Sequence, residues 1–274
     1  DGTAGPAQAL TYLGRPAKSV GHHASFTHPD LRTPRAVAAG DFNADGSGDF
    51  VSLPLAGTQL IYWMGQENGA YHAPVSLDNF APAKVRAVAV GRLRSNGNEN
   101  DVVLATDTGK ALIYYGVLNG IFGPAEVDFD GGLLTDTVVA DKTNDGHQDI
   151  FVLDYTNGQV RFAEGAGDGT VGSVRSYSSG AAPTALAVVD LNDDNLAEFI
   201  VVRETAHVVS VRRGWTGTTM LNATEYTMAG KPNSVAVGDL NNDGELDVIT
   251  GHWVSQFQHA GNHPYFDTSD PNIG

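Results

Sequence analysis

Apolar residues along the chain come in short runs, either continuous or alternating, that are broken by clusters of Gly, Asn and Asp. No stretch sustains a 3.6-residue amphipathic period with helix caps, so the pattern predicts strands and turns with minimal helix. One unit recurs: a run rich in Ala and Val, a loop rich in Asp and Asn, then a second apolar run. The loops open at Asp41, Arg92, Asp141, Asp190 and Asp239, at separations of 51, 49, 49 and 49 residues. A second marker keeps the same beat, with Asn68-Gly69, Asn119-Gly120, Asp168-Gly169 and Thr216-Gly217 spaced by 51, 49 and 48. Asn-Gly and Asp-Gly are hairpin turns because their central residues need positive φ. Two unrelated turn chemistries that share a period mark a structural repeat.

Each period parses into four strands. In the first copy these are Arg35 to Gly40, Phe50 to Leu55, Gln59 to Met64, and a last one through His72 to Leu77. Four short strands per period of about 50 residues predict an all-β fold, a β-propeller of four-stranded blades. Five copies of the first strand favour five blades, with six or seven if the chain is a fragment. The expected organisation is one propeller domain over 1–274, with repeats at about 34–83, 84–133, 134–182, 183–231 and 232–274. Residues 1–33 would supply a closing hairpin, although Gln256 to Phe266 also reads as a third strand with its turn.

The loops carry the candidate chemistry. Four of them read D-x-[N/T]-x-D-[G/N]-x-x-[D/E], with side-chain oxygens at positions one, three, five and nine. The sets are Asp41, Asn43, Asp45 and Asp49; Asp141, Thr143, Asp145 and Asp149; Asp190, Asn192, Asp194 and Glu198; and Asp239, Asn241, Asp243 and Asp247. Position seven (Ser47, His147, Leu196 or Glu245) would add its backbone carbonyl, which fits its variability. Oxygens at alternating positions suit calcium, which takes six to eight of them at about 2.3–2.6 Å. Position six is Gly46, Gly146, Asn195 or Gly244, residues that accept the left-handed backbone a tight loop needs. An EF-hand requires flanking helices and a Glu at position twelve, whereas here the flanks are strands and position twelve of the first loop is Ser52. Metal-free Asx turns favour the same residues, but they would leave three carboxylates per loop repelling one another. In the second copy Arg92 and Arg94 replace the first two ligands, so that loop should hold no metal and bridge Glu99 or Asp101 instead.

At these residues the sequence resembles the FG-GAP/VCBS repeat family, as in the integrin α-subunit propeller, and Ile121-Phe122-Gly123-Pro124-Ala125 echoes the motif that names it. The resemblance implies an extracellular or cell-surface propeller with about four structural calcium ions, and recognition of a protein or glycan partner.

Composition narrows the picture. Net charge is −16, so nucleic acid and anionic lipid would be repelled. Four divalent ions on the twelve loop carboxylates would bring it to −8. There is no cysteine, and no apolar run is long enough for membrane insertion. No G-x-S-x-G, H-E-x-x-H or P-loop pattern occurs, so no enzyme activity is expected. His22, His23, His252, His259 and His263 have no ligand spacing and read as solvated or hydrogen-bonded side chains. Tyr62, Trp63, Tyr114, Tyr115, Trp215 and Trp253 read mainly as inter-blade core, with a sugar-stacking platform as the sharper alternative. The expected function is a calcium-stabilised binding or adhesion module. The alternatives are a structural spacer or assembly subunit, and an accessory domain of a secreted carbohydrate-active enzyme.

Overall fold

The computed structural model describes residues 34–56, 58–77, 80, 83–213, 223–253 and 265–266, and every regular element among them is a strand. β1 (Pro34–Gly40), β2 (Asp49–Pro54), β3 (Leu60–Trp63) and β4 (Val75–Leu77) form the first sheet. β5 (Val85–Gly91), β6 (Asp101–Thr106), β7 (Lys110–Val117) and β8 (Gly120–Asp128) form the second. The third contains β9 (Leu134–Ala140), β10 (Asp149–Asp154), β11 (Gln159–Ala163) and β12 (Arg175–Ser178). The fourth contains β13 (Ala185–Val189), β14 (Glu198–Arg203), β15 (Val208–Arg212) and β16 (Ala223–Thr227). β17 (Lys231–Gly238), β18 (Asp247–Trp253) and β19 (Tyr265–Phe266) make the last, three-stranded among the described residues.

Each sheet is an antiparallel meander in chain order, so every strand lies beside the strand that precedes it in sequence. The first strands of successive sheets touch in turn, β1 to β5, β5 to β9, β9 to β13 and β13 to β17. The hydrophobic core is correspondingly divided into layers between neighbouring sheets. Leu53, Leu60, Val102 and Leu104 fill the first gap, and Val103, Ile113, Ile150 and Val152 the second. Phe151, Phe162, Leu186 and Phe199 fill the third, and Ile200, Val209, Val235 and Val248 the fourth. Second strands are packed on both faces; β6 and β10 are buried along their whole length, which is why they read as continuous apolar runs. Fourth strands are largely exposed and alternate polar residues. Sheets standing face to face around their inner strands are the blades of a β-propeller.

The first repeat shows what the pattern could place. Its first three strands lie within a residue or so of expectation, but β4 begins only at Val75. The chain between is held as a turn by a Gly65–Tyr71 bridge, and Pro74 cannot donate to a ladder. Tyr265–Phe266 pairs with β18 in the third-strand position that Gln256 to Phe266 suggested. Gly123 of the Phe-Gly-Pro motif sits beside a register shift between β7 and β8; a Cβ there would lie 2.6 Å from the Ile113 carbonyl oxygen. The hairpin expected in 1–33, His22, His23, His259, His263, Trp215 and the turn at Thr216-Gly217 lie outside the described residues.

Candidate functional site

Each Asp-rich loop leaves a first strand, wraps, and enters a second strand, so the ladder fixes both of its ends. Position six has positive φ in all four intact loops: 83° at Gly46, 85° at Gly146, 67° at Asn195 and 95° at Gly244. Position four is left-handed as well, at Ala44, Asn144, Asp193 and Asn242, which the sequence pattern did not reveal. Two such residues alternating with right-handed ones coil the loop so that its amides point inward at its own side chains.

The first carboxylate receives those amides. Asp41 accepts from Asp45 N at 3.2 Å and Gly46 N at 2.9 Å, and Asp141, Asp190 and Asp239 repeat the pattern. Asp45, Asp145, Asp194 and Asp243 in turn accept from the amides of Ser47, His147, Leu196 and Glu245. Asn43 and Asn241 accept from the amides of Asp45 and Asp243 and donate to the carboxylates of the same residues, while Asn192 accepts from the Asp194 amide. Those bonds, the Asn43 contact foremost and the Ser47 amide next, hold the Asp45 carboxyl below its ordinary range. Thr143 stands where the other loops carry Asn, and its Oγ1 is sealed from water with no hydrogen-bond partner among the described residues.

Position nine behaves differently. Asp49, Asp149, Glu198 and Asp247 are buried, and each accepts the amide of the second loop residue: Phe42, Lys142, Leu191 and Leu240 respectively. Asp49 and Asp149 also accept the amides of Gly65 and Gly165 beyond the third strand. Burial raises the carboxyl pKa of both, against the opposing pull of those amides. The acid therefore clamps loop to hairpin whatever else it does. Its persistence as Asp101 in the copy that lost the other acids was the sequence signal for that role.

In the second copy the guanidinium of Arg94 donates to Asp101 Oδ1 at 2.7 Å and to the Gly116 carbonyl, with its carbon 5.1 Å from the centre of the Tyr115 ring. Asp101, fully buried, also accepts from Leu93 N and Gly116 N. Arg94 thus fulfils the expected bridge to Asp101, while Arg92 donates to the Gly97 carbonyl rather than to Glu99.

Adjacent loops are tied together by side-chain amides just before the buried acid. Asn100 Oδ1 accepts the Asp41 amide at 2.8 Å, and Gln148 Oε1 accepts the Arg92 amide. Ala197 and Leu246 hold that place in the fourth and fifth loops and offer no such oxygen. The oxygen-only donor sets, the coiled backbone and the buried Thr143 hydroxyl suit a hard cation. Among the described residues the acidic side chains are turned onto loop amides, and no three of them with or without histidine converge on one point. A carboxylate has about four acceptor positions, so two amide bonds do not exhaust it.

The FG-GAP-like repeat model matches residues 141–201 and 190–250. The type IV pilus biogenesis factor PilY1 of Pseudomonas aeruginosa, in strains PAO1 and PAK, is 32% identical over 110 residues. That match takes in 35% of this chain and 10% of PilY1, so the chain spans about a tenth of those relatives' length. Among solved structures, BBS1N in complex with ARL6DN superposes with a TM-score of 0.58 at 15% identity, over 85% of this chain and 68% of that one. A lectin of Agrocybe aegerita that recognises non-reducing terminal N-acetylglucosamine gives a TM-score of 0.55 at 17% identity, over 78% of this chain and 60% of that one. At such identities the likeness is one of fold. No helix among the described residues is long and apolar enough to cross a membrane.

Proposed function

Residues 141–250 are FG-GAP-like repeats, and from that premise we propose that the protein is a calcium-stabilised, non-enzymatic propeller that works outside the cell or at its surface and recognises a protein or a glycan. The observation that carries the reading is the four-fold recurrence of one coiled loop with the same oxygen donors. Asp41, Asn43, Asp45 and Asp49 would hold one ion, with the corresponding residues of the loops at 141, 190 and 239 holding the others. The ion would neutralise carboxylates that otherwise repel one another, and so fix the way out of each first strand. Loops of this class bind with dissociation constants of about 10⁻⁴–10⁻³ M, which fill outside the cell and stay empty in cytosol.

The pilus biogenesis relative favours an assembly or adhesion role, and the lectin neighbour favours a sugar ligand. The acidic surface argues against nucleic acid. Chelation tests the calcium component. EGTA is expected to lower the melting temperature by several degrees and added calcium to restore it, because a ligand bound only by the folded state adds stability. A melting curve indifferent to both would sink it.

A further inference from the structure

Blades one and three share a turn between their third and fourth strands, at positions 100 residues apart. In blade one Gln66 N bonds Ala70 O, His72 N bonds Met64 O, and Gly65 bridges Tyr71. In blade three Ala166 N bonds Thr170 O, Gly172 N bonds Glu164 O, and Gly165 bridges Val171. The backbones are the same and their uses differ. The blade-three turn is taken up by protein: Ser95 donates to Gly167 O, Gly169 N to Leu93 O, and the Tyr115 hydroxyl to Gly169 O. Its side chains are small, with Ala163, Val171 and Gly172.

Blade one places Trp63, Tyr71 and His72 at those three positions, around a recess of about 760 Å³. Phe50 stacks on Trp63 with ring centres 5.3 Å apart and meets Tyr71 edge-on at 5.0 Å, so the aromatic wall is fixed by packing. Tyr71 nevertheless keeps 38% of its surface exposed. Gln66, Asn68 and His72 also line the recess. Asn68 Oδ1 accepts the Ala70 amide, and its NH₂ group remains a donor. The side chains of Gln66 and His72 make no hydrogen bond among the described residues. Among the described residues no Lys or Arg lines the space.

We propose that this recess is a subsite for a neutral sugar ring, its apolar face against Tyr71 and its hydroxyls on Gln66, Asn68 and His72. An aromatic wall with uncharged donors and acceptors matches a ring that is apolar on its faces and polar around its edge. The acidic surroundings disfavour sialylated or sulfated sugars. Loop one forms the floor, since Gly48 lines the recess and a Cβ on Gly65 would lie 2.3 Å from the Gly48 carbonyl oxygen. An ion in that loop would therefore stiffen the site without touching the sugar. The inference rests on the binding-module reading above and deepens it.

Calorimetric titration of the whole chain with methyl glycosides of glucose, galactose and N-acetylglucosamine, with calcium present, tests the subsite. Saturable binding of at least one is expected. Tyr71→Ala should weaken it tenfold or more and Gln66→Ala at least threefold, while Val171→Ala in the matching turn leaves it unchanged. Gln66→Ala sits on the turn surface and separates lost contact from lost fold, read by an unaltered melting temperature. No saturable binding by any of the three, or binding unaffected by both blade-one variants, overturns the proposal. Melting with EGTA, run alongside, tells the two readings apart. A calcium response without sugar binding removes only the subsite, and sugar binding without a calcium response removes only the ion.

Discussion

At Gly46 the backbone stands at φ 83°, and a methyl group added there would meet nothing within 4 Å. The cost of Gly46→Ala is therefore conformational alone, about 1 kcal/mol for forcing an L-residue into the left-handed region. Ala44 already bears that strain at φ 57°, so Ala44→Gly is expected to recover a similar amount. Urea denaturation in calcium reads both; equal stability of the two variants and the parent would mean that the loop is not held in this coil. The left-handed position six was legible because only Gly and Asn occupy it. Position four was not, since Ala44 breaks the Asn/Asp preference that Asn144, Asp193 and Asn242 keep.

A blade is held in part by its buried acid, and blade two shows this most clearly. Arg94 supplies a fixed positive charge to Asp101, so Arg94→Ala strands a buried carboxylate with two amides as its remaining partners. The expected cost is about 2–4 kcal/mol, at or just below that usual for orphaning one member of a buried ion pair. It should be the same with and without EGTA, because the calcium reading proposed above assigns no ion to that loop. A loss that disappears on chelation would mean that Arg94 acts through a neighbouring metal loop. Strands and loops could be read because apolar runs and turn residues recur inside every copy. The ties made by Asn100 and Gln148 could not, because each joins one copy to the next and is replaced by Ala197 and Leu246 further on. The double duty of position nine was hidden for a related reason: its amide partners, such as Gly65, lie on another strand.

The whole molecule carries −16 of net charge with much of it concentrated in the loops. Self-repulsion of that size weakens a compact state and is screened by salt, with a Debye length of about 10 Å at 0.1 M falling to about 3 Å at 1 M. Raising sodium chloride from low to high concentration in EGTA should lift the melting temperature by about 2–6 °C, given the usual conversion for a chain of this size. The same salt step in calcium should do much less, since four bound ions would already have halved the charge. Equal responses in the two conditions would show that the loop carboxylates are not where the repulsion lies. The propeller was legible from its period. Its closure was not, since the count of visible inner strands says nothing about which segments meet at the seam.

The uneven ties between loops also bear on how such a molecule yields to tension. Pulled along its chain, a set of radially arranged sheets comes apart at the joints between sheets before the ladders within them shear. The joints from the first blade to the second and from the second to the third are pinned by side-chain amides, with Arg94 as an internal rivet. The third joint is pinned as well, by Leu186 N on Asp136 Oδ2 at 2.8 Å, Asn144 Nδ2 on Asn195 Oδ1 at 3.0 Å and Arg212 on the Ser178 carbonyl, while apolar side chains such as Val209 and Val235 pack the fourth. The first four blades thus form one pinned body, on which the Tyr71 recess is mounted.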